Sequence, residues 1–161
     1  MAARLLIAGA ASALFLATAL AALAADPHAN AHGAEAPVHE ITLDHGRKWA
    51  TDAPLRDGMT QIREALEQNH EALRKGALGE AQYAQLGATL EKNVASIVAN
   101  CKLSPEADAN LHAVIADLAN AADAMRSASA MNRTEGAQKA IGAVNLYGRY
   151  FDHPGWKPLG G

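Results

Sequence analysis

Three side chains with soft or borderline donor atoms stand out in this 161-residue sequence: Met59, Cys101 and His112. Cys101 is the only cysteine; it ends one amphipathic segment in Asn100-Cys101-Lys102-Leu103-Ser104-Pro105, and His112 rides two turns into the next. Thioether, thiolate and imidazole select soft or borderline metals, and copper(I) in particular suits sulfur and nitrogen donors. Each residue also has a structural reading: methionine fills core gaps, a free cysteine behaves as a small buried apolar residue, and a histidine one place off an apolar stripe sits at a boundary. A second, weaker metal reading lies upstream, where His28, His32, His39 and His45 precede any apolar stripe and offer loose chelation or plain solubility. An amino-terminal copper(II) clamp is excluded there, because cleavage before Asp26 would put Pro27, which has no N–H, at the second position.

Helices are needed to bring Met59 and His112 together, and the apolar periodicity supplies four. Leu55, Met59, Ile62, Leu66, Asn69 and Leu73 follow a helical alternation, with Thr51 or Asp52 as cap, Pro54 in the first turn, and Gly76 and Gly79 as breaks. A second helix is expected from about Glu80 to Cys101 along Tyr83, Leu86, Leu90, Val94, Ile97 and Cys101. Ser104 as cap and Pro105 as first helical residue start a third, with Leu111, Ile115, Leu118, Ala122 and Met125 inward. A fourth is predicted from about Arg133 to Asp152 along Ala137, Ile141, Val144, Tyr147 and Phe151, stopped by Pro154 and Gly155. Met131 and Asn132 then fall in or near the preceding loop.

Short connections favour antiparallel neighbours, so the fold class expected is all-α, an up-down-up-down antiparallel four-helix bundle over residues 49–161. In that arrangement Met59, seven residues past Asp52, and His112, seven past Pro105, both lie about 10 Å below one pole, with Cys101 above them at the rim. Gly136, Gly142 and Gly148 interrupt the last helix at about 1 kcal/mol each relative to alanine, which points to close packing or room for a bound group. Trp49 and Trp156 flank the bundle at the same pole and are read as a clasp between its two ends, with a partner-binding surface as the alternative.

The start of the chain reads as an export signal. Arg4 gives a positive start, Leu5 to Leu23 an uncharged apolar run, and Ala22-Leu23-Ala24 a cleavage site, so residues 1–25 are expected to be a signal peptide and 26–48 a flexible histidine-containing arm. The destination expected is the periplasm, with no membrane span after signal cleavage. Fourteen basic residues against 17 acidic ones give a net charge of −3, which does not attract nucleic acid. A lone cysteine in an oxidising compartment cannot form an internal disulfide and leaves a free thiol, a metal ligand or a link to a second copy in a homodimer.

Leu55-Arg56-Asp57-Gly58-Met59 opening the first helix resembles the start of the cytochrome b562 family of periplasmic four-helix bundles. The resemblance implies a non-covalent haem b with Met59 as one axial ligand and a histidine of the last helix as the other. It covers that segment and the architecture. Tyr147-Gly148-Arg149-Tyr150 carries no histidine at the matching place, so His112 or His153 would have to substitute. No Cys-x-x-Cys-His sequence is present for covalent haem.

No serine-histidine-acid constellation, phosphate loop, Glu-x-x-His pair or zinc signature appears either, so the chain is read as a non-enzyme. Copper(I) binding at one pole is the leading expectation. The alternatives are a haem-binding electron carrier and a cofactor-free module that binds another periplasmic protein or serves in stress.

Overall fold

The computed structural model describes residues 40–160. The expected signal peptide and His28, His32 and His39 of the arm lie outside the described residues. Four helices follow in order: α1 (Ala53–Arg74), α2 (Glu80–Asn100), α3 (Pro105–Met125) and α4 (Ala130–Tyr150). Among the described residues the only extended pairings are two isolated bridges, Asp44 with Arg47 and Trp49 with Phe151. None of the four helices is long and apolar enough to cross a membrane.

The helix starts follow from side chains that satisfy orphan N–H groups. The Asp52 carboxylate accepts from the Leu55 amide at 3.0 Å, the Ser104 hydroxyl from Ala107 at 3.2 Å, and the Ser129 hydroxyl from Asn132 at 3.3 Å. Pro54 and Pro105 occupy first-turn positions, where no N–H is missed. α4 therefore begins at Ala130, ahead of the expected Arg133, because Ser129 caps it. Met131, expected in a loop, is a helical residue on the outer face and is 68% exposed.

Four seams close the ring: α1 against α2, α2 against α3, α3 against α4, and α4 against α1, the last being the least extensive. The packing partners run in opposite senses along each pair. Gly58 lies under Ile97, Gly87 against the Ala122 carbonyl, and Gly136 against Ala121 and Ala124, which is the antiparallel order that short connections impose. The core is one cluster containing Leu55, Met59, Ile62, Leu66, Leu90, Ile97, Leu118, Met125, Val144, Tyr147 and Phe151.

The expected stripes hold with two rotations. Val114 is fully buried where Ile115 was expected inward, and Ala140 and Ala143 are buried while Ile141 is half-exposed. Small residues on α4, Gly136, Ala137, Ala140 and Ala143, are those turned inward. α4 and α3 pack most extensively of all the pairs.

Both ends of the described chain are tied to α4. Trp49 N–H donates to the Tyr150 carbonyl at 2.8 Å, Asp152 N–H donates to the Trp49 carbonyl at 2.8 Å, and the Thr51 hydroxyl reaches the Asp152 carbonyl at 2.6 Å. Trp156 lies directly over Gly148, where any Cβ would collide with the indole, and packs edge-on to Tyr147 at 4.9 Å. Trp49 thus joins the lead-in of α1 to the end of α4, as expected, while Trp156 folds back onto α4 itself.

The last part of the expected arm, residues 40–48, is also held. It turns tightly at His45 and Gly46, both at positive φ, and its Thr42 amide donates to Asn110 of α3 at 2.8 Å.

Candidate functional site

Depth along a helix and direction around it are separate coordinates, and the second decides which candidate residues meet. Met59 is fully enclosed in the core, at 0% exposure. The His112 side chain is 73% exposed, since it follows the inward Leu111 by one residue and is rotated about 100° from it. The structure therefore does not join Met59 to His112 in one site, although both belong to the same half of the bundle.

Cys101 and His112 do come together. They line a shallow depression of about 210 Å3 between the end of α2 and the first turns of α3, with Asp108, Ile97, Val98, Leu111 and Ile115. Cys101 is the residue that closes α2; its N–H still donates to the Ile97 carbonyl at 2.9 Å, but its backbone has left the helix. The thiol is half-buried, and that burial, reinforced by the carboxylates of Asp52 and Asp108, raises its pKa above the ordinary thiol value.

Asp108 is the member that inspection for donor types alone misses. It precedes His112 by four residues, one turn on the same face. His112 Nδ1 lies 2.8 Å from the Asp108 carbonyl oxygen and 3.5 Å from its carboxylate. A carbonyl only accepts, so Nδ1 carries a proton, and in the neutral ring the lone pair is on Nε2. Histidines that bind metals are commonly oriented in this way, through a hydrogen bond from the other ring nitrogen. Among the described residues no group of three or more histidine, cysteine, aspartate or glutamate side chains is arranged to hold a metal, so the donor set here is one thiol and one imidazole. Two such donors suit copper(I) better than zinc, which takes four.

The residues present do not fit a haem. Met59 has no exposed surface, and Tyr147 and Phe151, stacked with centroids 5.2 Å apart, are themselves fully buried. The substitute ligand His153 has both ring nitrogens occupied: Nδ1 lies 3.0 Å from the Tyr147 hydroxyl and Nε2 3.5 Å from the Thr60 hydroxyl. Burial holds the Tyr147 phenol far above its usual pKa, so it remains protonated. Burial, followed by Arg56, lowers that of His153 against the opposing pull of Asp152 and Asp57. Both hydroxyls can donate or accept, so either tautomer of His153 is satisfied between Tyr147 and Thr60. His153 thus ties α1 to the end of α4, packed at 4.7 Å against Trp156.

His45, the arm histidine among the described residues, is 94% exposed, with Asp44 at 3.9 Å. No known protein family, characterised protein or solved structure matches this chain.

Proposed function

We infer that this protein is an exported, non-enzymatic four-helix bundle that binds copper(I) in the periplasm, through the Cys101 thiolate and the Nε2 of His112. The observation that carries the reading is the orientation of His112: its Nδ1 is turned to the Asp108 carbonyl, and the depression that its ring lines is also lined by Cys101, the one cysteine of the chain. The apolar rim of Ile97, Val98, Leu111 and Ile115 favours a soft, weakly hydrated ion over a hard one. Because the thiol is protonated at neutral pH, binding displaces its proton. Met59 serves the core in this reading.

The test is an anaerobic copper(I) titration against a competing chromophoric chelator. Cys101→Ser and His112→Ala should each weaken binding at least ten-fold, and Met59→Leu should leave it within two-fold. Copper(I) affinity unchanged in both ligand variants, or no binding by the parent protein, would overturn the assignment and leave a cofactor-free helical module.

A further inference from the structure

The seam between α1 and α4 is the least extensive of the four, and residues 153–160 run along it after leaving α4. His153 to Trp156 make a tight turn in which the Trp156 N–H donates to the His153 carbonyl at 3.0 Å. Pro154 takes the second place of that turn and Gly155, at positive φ, the third, the residue choice of a type II turn. From there the chain continues to Gly160 in neither helix nor strand.

This segment is held by its main chain, and the groups that hold it are side chains of both helices. From α1, Arg63 Nε donates to the Lys157 carbonyl at 2.6 Å, and the same guanidinium is fixed by Glu67 through bonds of 2.6 Å and 3.2 Å. From α4, Asn145 accepts from the Leu159 N–H at 2.8 Å and donates to the Leu159 carbonyl at 3.1 Å. A side-chain amide that meets both polar groups of one residue grips an extended backbone whatever its sequence. Selectivity is left to the anchors: Leu159 is buried and Trp156 half-buried over Gly148, while Lys157 and Pro158 between them are exposed. Main-chain bonds for affinity and spaced side-chain pockets for specificity are the means by which grooves recognise extended peptides.

The resident segment fits this groove imperfectly. Trp156 Nε1 is enclosed and has no acceptor among the described residues, and a buried donor without a partner costs free energy. A phenylalanine ring in the same place carries no such donor. Exchange of the segment between two copies of the chain would reproduce the defect, which favours an outside chain over a second copy.

We propose that the α1–α4 seam is a groove for an extended segment of another protein that carries an aromatic residue three places before a leucine, and that residues 156–159 fill it from within the same chain until displaced. The groove shares no residue with the Cys101 depression and stands apart from the copper reading.

Calorimetric titration with acetyl-Gly-Trp-Lys-Pro-Leu-Gly-amide tests it, on the parent protein and on full-length Leu159→Asp, which puts a carboxylate at the buried anchor and frees the groove. In the parent the internal segment competes at an effective concentration on the order of millimolar, so saturable one-to-one binding to Leu159→Asp is expected at least ten-fold tighter than to the parent. Aspartate in place of the peptide's leucine should abolish binding, Asn145→Ala added to Leu159→Asp should weaken it at least ten-fold, and phenylalanine in place of the peptide's tryptophan should bind at least as tightly. No saturable binding to a folded Leu159→Asp protein, equally tight binding to the parent, or binding indifferent to the peptide's leucine or to Asn145 would overturn the proposal. A phenylalanine peptide at least ten-fold weaker than the tryptophan one, or a dimer of the parent that Leu159→Asp abolishes in sedimentation, would assign the groove to this chain's own segment and likewise overturn it. Should circular dichroism show Leu159→Asp unfolded, excess phenylalanine peptide added to the parent decides: chemical-shift changes at both the Asn145 amide and the Leu159 methyls support displacement, and their absence overturns it.

Discussion

Gly136→Ala and Gly142→Ala make the same chemical change on one helix and should differ in stability, with only the second a gain. A Cβ on Gly142 meets nothing within 4 Å, so the alanine gains the helix-propensity difference of about 1 kcal/mol. On Gly136 it falls 2.8 Å from Ala124 Cβ, 2.9 Å from the Ala121 carbonyl oxygen and 3.1 Å from the Met125 amide nitrogen. Two of those atoms belong to the backbone of α3 and cannot rotate aside, so the helices themselves must separate. Overpacking of this kind costs about 1–3 kcal/mol, against the same propensity gain of about 1 kcal/mol. Gly136→Ala should therefore be neutral to about 2 kcal/mol less stable than the parent, and about 1–3 kcal/mol below Gly142→Ala. Urea unfolding followed by far-ultraviolet circular dichroism resolves a gap of that size, which corresponds to roughly 4 °C in Tm for each kcal/mol. Equal stabilities of the two variants, or a Gly136→Ala protein more stable than the parent, would refute the claim that α4 is seated on α3 by the missing side chain.

The lowered pKa of His153 makes stability depend on pH: the neutral ring's contribution is complete above the unfolded-state value of about 6.5 and is lost as pH falls from there through the folded value. His153→Gln should flatten the decline in Tm between about pH 7 and pH 5, and curves that stay parallel to wild type would contradict it. Asp52 accepts from both Leu55 at 3.0 Å and Lys102 at 2.6 Å, so Asp52→Ala should cost about 2 kcal/mol in denaturant unfolding, through the cap and the lost tie to Lys102. Asp52→Asn should recover about half of that, since the amide keeps one acceptor and loses the other. With the Cys101 thiol raised by burial and by Asp52 and Asp108, alkylation by iodoacetamide at pH 8 should run slower than in the urea-unfolded chain. Asp108→Asn should speed it in the folded protein, and an unchanged rate would remove that carboxylate from the account.

Most of the fold was legible because its signals are local. Ser104-Pro105 fixes the start of α3 by cap and ring chemistry within a few residues, and the Gly76 and Gly79 breaks lie between α1 and α2. The start of α4 was less so: Ser127 and Ser129 are both competent caps, and an exposed Met131 on the outer face weakens the helical pattern until the structure selects Ser129. Side-chain size misled the facing of α4, since helices that approach closely bury alanine and glycine and turn the larger Ile141 toward the open seam.

The site was half legible for a related reason. The rise per residue gives the depth of Met59 and His112, but the 100° turn from Leu111 to His112 carries the imidazole outward. Cys101 and His112 still meet, because a loop of four residues keeps the end of α2 beside the start of α3. Asp108 and the Tyr147–His153–Thr60 contacts needed three dimensions: the first acts through a main-chain oxygen, and the second joins residues 93 positions apart.

The bridge between Trp49 and Phe151 joins the segment that leads into α1 to the one that leaves α4. Its two sides precede α1 and follow α4, so the lead-in to α1 stays unpaired until all four helices have been synthesised. A chain cut short before Phe151 leaves that backbone edge bare and removes the ring stacked on Tyr147, and should be cleaved faster by a protease than a chain that includes it.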